Sequence, residues 1–304
     1  MSCRLSACLL GIAANLVAGA GLTARQRVEP PNPTLIPPAL NPLVSEGDAH
    51  YARRQEGHAG DRADSREILA AIAAFEAAAE APDNAEARWK LARALYFRGE
   101  YTGLAVERRR AVFEMARRVS EEAIGILGRR AGAAAKLEGQ PPAKTADALR
   151  NDPDALPTFF WTAVSWGEWS LDVGKMAAAR MGAASRIRDD ANVVIALDPT
   201  FEEGGGNRIL GRLHDQAPKI PVLTWWVSRK EALANLRRAL EIAPQNIVNR
   251  HFLAEALAHG SAAERAEAIQ IEEQVVAAAP SPVHLVEEIH IQEEAKRRLA
   301  EWRR

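Results

Sequence analysis

The chain has 304 residues, and its 39 lysines and arginines are balanced by 40 aspartates and glutamates, which gives a net charge of -1. This balance gives no reason to expect nucleic acid or another polyanion as a partner. The two cysteines, Cys3 and Cys8, lie at the N-terminus, so a disulfide framework or a cysteine metal site is excluded from the rest of the chain. Alanine is abundant, whereas isoleucine, valine, threonine and tyrosine are comparatively few, which favours helix over strand. We therefore expect an all-α protein.

The N-terminus contains an apolar stretch, residues 5–22, that follows Arg4 and ends near the small residues 18–20. This is the layout of a secretory signal peptide. The stretch is also just long enough to span a bilayer, so we assign residues 1–24 to a signal peptide or an N-terminal anchor. A third interpretation is lipid attachment at Cys8, which requires a start codon further upstream. Each interpretation predicts an exported, periplasmic protein.

A proline-rich segment follows at residues 25–44 and contains six prolines. Proline at this density opposes helix and favours an extended polyproline conformation. We interpret the segment as a linker between the export signal and one folded domain, residues 45–304.

Helical runs in this domain end in similar proline-containing sequences, EAPDN, ALDPTF, EIAPQN and AAAPSP. Proline after a helix prevents its continuation, and a neighbouring Asp or Asn can cap the next helix. A Leu-Ala pair occurs nine and ten residues after Pro82 and again after Pro244. Such a recurrence is typical of a helical repeat.

The runs that precede these prolines carry a stripe of small and large apolar residues. Before Pro244 the stripe is Ala232, Leu236 and Ala239, and Ala70 and Ala77 lie at two of the same distances before Pro82. The stripe resembles the second helix of a tetratricopeptide (TPR) repeat. The resulting prediction is an all-α, TPR-like solenoid of antiparallel helix pairs.

The predicted helices leave one long irregular stretch at residues 128–156. In chain order we expect helices at about 45–57, 64–81, 85–98, 103–127, 158–171 and 175–197, others entered near Gly204, Ser228 and Asn249, and a capping helix at 282–304.

Aromatic residues are concentrated in the helix predicted at 158–171. Phe159, Trp166 and Trp169 share a face by their spacing, and we expect Phe159 and Trp166 to be core residues. The helix carries more rings than a single helix normally buries. Trp161 or Trp169 is therefore expected to line a groove, where an indole N–H can meet a polar group.

Three consecutive glycines, Gly204 to Gly206, open a later helix. They predict either close packing of the helix entry or an anion site at its N-terminus. Arg208 follows at once and is suited to orient a carboxylate. Trp225 and Trp226 lie in an irregular segment, where adjacent side chains tend to point apart. His214 and Asp215 lack a second pair at helical spacing, so we predict no metal site.

The sequence ALPTFFWTAVSWG, residues 155–167, resembles a signature of the TPR-like TatT lipoproteins associated with TRAP transporters. The ALDPTF motif, the glycine-rich entry to LGRL and the alanine- and leucine-rich helix that ends at Pro244 follow in the order of that family. The resemblance covers about residues 155–258. It implies a periplasmic, helical, trimeric protein with a hydrophobic cleft or pore and a periplasmic substrate-binding protein as partner. The lipid-attachment cysteine and the segment 219–227, KIPVLTWWV, depart from the family pattern.

The sequence shows no poised nucleophile, acid–base pair or metal set, so we predict no enzymatic activity and no cofactor. We expect an exported binding or scaffold protein for a small hydrophobic or carboxylate ligand, acting with a periplasmic substrate-binding protein. The alternative is a generic TPR scaffold for protein–protein interaction without a small ligand. The expected ligand-binding residues are Trp161, Trp169, Arg208, Trp225 and Trp226.

Overall fold

The structure, a computed structural model, describes residues 41–132, 137 and 139–304, and in these ranges it contains thirteen helices and no strand. The all-α class is confirmed. The signal peptide or anchor, and the proline-rich linker up to residue 40, lie outside the described residues. The helices are α1 Pro42–Ala52, α2 Ser65–Ala79, α3 Ala85–Tyr101, α4 Val106–Arg130, α5 Pro142–Leu149, α6 Ala155–Val173, α7 Lys175–Arg180, α8 Ala183–Leu197, α9 Phe201–Gln216, α10 Arg229–Ile242, α11 Ile247–Ala258, α12 Ala262–Ala277 and α13 Leu285–Trp302.

Side-chain caps fix several helix starts. Asn84 and Asn246, each two residues after a proline, accept hydrogen bonds from the backbone N–H groups of Ala87 and Asn249. Ser261 and Glu264 form a reciprocal capping box at the start of α12. The prolines and their neighbouring polar residues therefore mark helix boundaries for the physical reason that the sequence suggests.

Three predicted helix boundaries and one predicted buried stripe differ from the structure. Helix α1 begins at Pro42, within the predicted linker, because proline is well suited to the first turn of a helix. The stretch 128–156, expected to be irregular, contains α5. The helix predicted at 175–197 is divided at Gly182, whose φ of 79° is left-handed. In α2 the buried stripe includes Ala71, Ala74 and Ala78, whereas Ala77 is exposed.

Neighbouring helices along the chain contact one another, as in α1 with α2, α3 with α4, α9 with α10 and α11 with α12. A second set of contacts joins α3 to α6, α6 to α9, α9 to α11, α11 to α13, and α13 back to α3. We call α3, α6, α9, α11 and α13 the inner helices. Their contacts form a closed ring, so the last helix of the chain packs against one of the first.

A buried ion pair joins the segment after α1 to α13, the last inner helix. Arg54, just after α1, donates through Nη2 to Glu287 Oε1 of α13 at 2.6 Å, and the two side chains are only 6% and 2% exposed. The same nitrogen donates to the carbonyl oxygen of Val283 at 2.9 Å. His290 of α13 also packs edge-on against Tyr101 of α3, with ring centroids 5.6 Å apart. No helix within the described ranges is long and apolar enough to span a membrane.

Glycines set the distance between α9 and its neighbours. A Cβ added at Gly205 would lie 2.6 Å from the Phe160 ring of α6, and one added at Gly211 would lie 2.5 Å from Leu236 of α10. Real Cβ atoms do not approach other atoms this closely. The LGRL motif therefore marks a close helix crossing.

We expect Gly211→Ala to lower the free energy of unfolding by about 1–3 kcal/mol, because the new methyl group overpacks against Leu236. Gly125→Ala is the matched control: a Cβ there meets only Arg129 Nη1, at 3.9 Å, so alanine should be neutral or slightly stabilising. Urea unfolding of both variants tests the crossing. If Gly211→Ala were as stable as the wild type, α9 and α10 would be able to move apart at no cost.

Candidate functional site

The two tryptophans of α6 that were expected to line a groove are core residues. Trp161 is 3% exposed and packs on Tyr96 of α3, with ring centroids 5.7 Å apart. Trp169 is 5% exposed and packs on Trp166 at 5.3 Å, with the Arg117 guanidinium 5.1 Å from its ring. This corrects the expectation of a groove. The physical reason is that α6 contacts α3, α4, α8 and α9, so more than one of its faces is covered.

Arg208 is fully buried and donates hydrogen bonds to a side-chain amide and to a backbone carbonyl group. It donates through Nη1 to Asn249 Oδ1 at 2.9 Å and through Nη2 to the Glu202 carbonyl oxygen at 3.1 Å. No carboxylate of the described chain lies within ion-pair distance of it. Burial lowers the pKa of Arg208 to about 10, although the nearby charges of Glu202 and Glu203 act in the opposite direction. Arg208 thus joins α9 to α11 and is not available at a surface.

The backbone that Arg208 holds is strained. Glu202 and Glu203 have φ values of 50° and 56°, and Gly204 continues the left-handed turn at 83°. Left-handed geometry costs a non-glycine residue roughly 1–2 kcal/mol. Hydrogen bonds offset this cost, since Asn249 Nδ2 donates to the Glu203 carbonyl oxygen and Asn246 Nδ2 donates to the Glu203 carboxylate. The glycine triplet is therefore used for close packing and a turn.

The adjacent tryptophans of the α9–α10 loop have different environments. Trp226 packs edge-on against His214 at 5.3 Å and lies under Arg188, 4.6 Å from its guanidinium carbon. Trp225 is 67% exposed, and two apolar residues before it are also exposed, Val222 at 88% and Leu223 at 42%. We call these three exposed residues the loop patch. The five predicted residues are thus divided between the core, an α9–α11 contact and the surface loop, and they do not form one site.

A buried network of charges, which sequence reasoning missed, connects α9, α11, α12 and α13. Arg212 donates through Nη1 to Glu255 Oε2 at 2.6 Å, and Arg298 donates to Glu255 Oε1 at 2.8 Å. His251 bonds through Nδ1 to Glu272 Oε1 at 2.7 Å, and both side chains are fully buried. The sequence signal in this network is the spacing of four between His251 and Glu255, which places both side chains on one face of α11.

The network shifts the protonation of its members. Burial alone favours the neutral His251 imidazole, but the charges of Glu272 and Glu255 outweigh it and raise the pKa of His251 to about 10. Burial also opposes ionisation of Glu255, yet Arg212, His251 and Arg298 hold the pKa of Glu255 at about 2. At neutral pH His251 is therefore protonated and Glu255 is ionised.

The inner helices also carry buried polar atoms without a hydrogen-bond partner in the described part of the chain. Each of the five inner helices contributes at least one. Examples are Arg93 Nε, Glu168 Oε1 and Arg212 Nε. His251 Nε2 and His290 Nε2 also lack a hydrogen bond, although each has a carboxylate 3.7 Å away. Such atoms are usually satisfied by water or by a ligand.

An apolar pocket of about 70 Å³ lies between α6, α7, α8 and α9. Its walls are mainly aliphatic, with Leu171, Ile187, Ile209 and Leu213 among them. Within the part of the chain that the structure describes, Lys175 and Arg212 are the only charged side chains that line it. Apolar walls with a few convergent polar groups are the usual form of a small-molecule site.

Arg212 and Lys175 have unused hydrogen-bonding capacity. Arg212 is 3% exposed, and its Nε and Nη2 have no partner among the residues that the structure describes. Lys175 is half-buried and donates to Gln216 Oε1 at 2.8 Å. Burial and the charge of Arg212 lower the pKa of Lys175. The sequence expectation assigned no role to either residue.

Comparison of the chain with protein-family models gave no match, and comparison with curated proteins gave no similar protein. The likeness to the TatT family therefore rests on residues 155–258 alone. Groups of three or more His, Cys, Asp or Glu residues able to hold a metal ion are absent from the described ranges.

Replacing two of the tryptophans expected to bind ligand should distinguish a core residue from a surface residue. We expect Trp169→Ala to lower the free energy of unfolding by about 3–5 kcal/mol, because it removes a buried ring. Trp225→Ala is the control and should change it by no more than about 0.5 kcal/mol, since that ring is largely in solvent. Thermal or urea unfolding gives both values. A stable Trp169→Ala protein would contradict the buried position.

The His251 network predicts a pH-dependent stability. His251 has a pKa of about 10 in the folded protein, against about 6.5 in an unfolded chain. Its contribution is complete below about pH 6.5 and is lost as the pH rises through about 10. We expect the melting temperature of the wild-type protein to fall over this interval, and His251→Gln to be less stable at pH 6 with a flatter profile above pH 7.

His58→Gln, outside the network, is the control and should keep the wild-type slope. Parallel pH profiles for the wild type and His251→Gln would show that His251 is not protonated in the folded protein.

Proposed function

We propose that this protein is an exported, non-enzymatic TPR-like binding protein that holds a small ligand and acts with a periplasmic substrate-binding protein of a transporter. The observation that carries the proposal is the apolar pocket with two cationic residues in its wall. All of its lining residues lie between Gly167 and Pro218, within the segment that resembles the TatT family.

The packing of the predicted repeat positions supports a TPR-like arrangement. Leu91, Ala92, Leu253 and Ala254 are all buried, as a close approach between paired helices requires. A side chain at Gly99 would collide with the Phe113 ring of α4, so glycine permits the α3–α4 contact. We infer that such pairs stack as TPR-like units in the order in which they occur along the chain.

The loop patch supports a protein partner. Val222, Leu223 and Trp225 are apolar and exposed, and the first of them lies four residues after Pro218 in the pocket wall. Met176 and Met181, at 49% and 58% exposed, flank the pocket residues of α7. Aromatic residues and methionine are enriched at protein interfaces. A partner bound here would lie beside the pocket, as transfer of a small ligand between two proteins requires. By its resemblance the assembly is a trimer.

Two measurements test this function. The purified full-length protein should release a small organic molecule on denaturation, identified by mass spectrometry at a ratio approaching one per chain. A photo-crosslinking residue at position 225 should capture a periplasmic substrate-binding protein in cells. The same residue at Leu69, which is 40% exposed on α2, is the control and should not capture it.

A partner without a released small molecule would support the alternative of a scaffold for protein–protein interaction. Neither a small molecule nor a substrate-binding protein would contradict the proposal.

A further inference from the structure

We propose that the pocket between α6, α7, α8 and α9 is specific for a small apolar monocarboxylate, whose carboxylate lies on Lys175 and Arg212. This deepens the proposed function and rests on its claim that the protein holds a small ligand. Three features of the pocket support this assignment: the charge of its wall, the unused hydrogen-bond donors there and its size.

The charge of the pocket wall selects an anion. Lys175 and Arg212 line the pocket, and no aspartate or glutamate among the described residues does. The carboxylates near Arg212 are already engaged: Glu255 is bonded to both Arg212 and Arg298, and Asp215 lies within 3.7 Å of both Arg212 and His259. In the described chain, Lys175 has no carboxylate within ion-pair distance. One positive charge at the pocket is therefore left without a counter-charge.

The unused donors indicate where an anion would bind. Arg212 keeps two nitrogens, Nε and Nη2, without a partner in the described structure, and its side chain is 3% exposed. A guanidinium presents five N–H donors and a lysine ammonium presents three. Arg212 uses Nη1 for Glu255, and Lys175 uses a single bond to Gln216. Charge-assisted bonds to a carboxylate are the strongest use of such donors.

The size and the other walls of the pocket select the rest of the ligand. A cavity of about 150 Å³ holds benzene, so the 70 Å³ here suits a short aliphatic chain. Ala178, Ala179, Ile187 and Leu213 offer that chain no hydrogen-bonding side chain. A sugar or a dicarboxylate would bury polar groups against these walls without partners, at a cost in affinity. A single carboxylate on a short apolar chain leaves no such group.

The test uses the full-length protein, with propanoate as the probe, since its short chain matches the size of the pocket, and propan-1-ol as its uncharged counterpart of equal chain length. Isothermal titration calorimetry should show saturable binding of propanoate and binding of propan-1-ol at least about tenfold weaker. Lys175→Met keeps the aliphatic stem and removes the charge. It should weaken propanoate binding by about tenfold to a hundredfold and leave propan-1-ol binding unchanged.

Control variants keep the test independent of folding. Lys230→Met removes an exposed lysine from α10 and should bind propanoate as the wild type does. Ala179→Leu adds bulk to the pocket wall and should weaken both probes, which localises the site. Melting temperatures of all variants, measured without ligand, verify that each is folded. Lys175 is half-buried, so its substitution is a safer test than that of Arg212, which holds Glu255.

Several results would overturn the inference. They are an absence of propanoate binding to the wild type, equal affinities of the wild type for propanoate and propan-1-ol, and equal losses of propanoate affinity in Lys175→Met and Lys230→Met. Retention of the co-purified molecule by Lys175→Met would overturn this site while the proposed function stands. Conversely, propanoate binding that depends on Lys175 in a protein that releases no native ligand would support the site and contradict the proposed function.

Discussion

The structure depends on keeping charged side chains paired away from water. Deeply buried pairs join α9 to α11 through Arg212 and Glu255, α11 to α12 through His251 and Glu272, and the end of α1 to α13 through Arg54 and Glu287. Such pairs contribute little net stability over an apolar contact, but the loss of one partner leaves an uncompensated charge and costs about 3–5 kcal/mol. Each pair also joins different parts of the chain. The arrangement of the inner helices is therefore fixed by charge complementarity as well as by apolar packing.

Helix α9 connects this network to the candidate pocket. Its glycines bring it close to α6 and α10, and its left-handed entry is held by Asn249 of α11. One residue beyond the crossing at Gly211, Arg212 lies between two environments, with Glu255 on one nitrogen and the pocket beside it. The backbone strain and the close crossing thus position a guanidinium that has donors to spare. The same contacts that stabilise α9 prepare the pocket for an anion.

Local chemistry in the sequence predicts much of the fold, whereas the candidate site depends on distant contacts. Composition predicts the all-α class, and Asn84 and Asn246 mark helix starts because capping involves only neighbouring residues. The spacing of the aromatic residues does not reveal that α6 is covered on several faces, so it wrongly predicts that Trp161 lines a groove. Arg212 was missed because its partner Glu255 lies 43 residues away. The pocket arises where four helices meet, which no single motif encodes.

The joining of Arg54 to Glu287 has a consequence for how this protein can evolve. An open array of helix pairs can lengthen or shorten by whole repeats, because each repeat needs only its neighbours. Here α13 also packs against α3, and its Glu287 is paired with Arg54 beside α1, so an inserted helix pair would move Arg54 away from Glu287. Insertion of a further helix pair between them is therefore penalised, and changes in length are better tolerated in the loops.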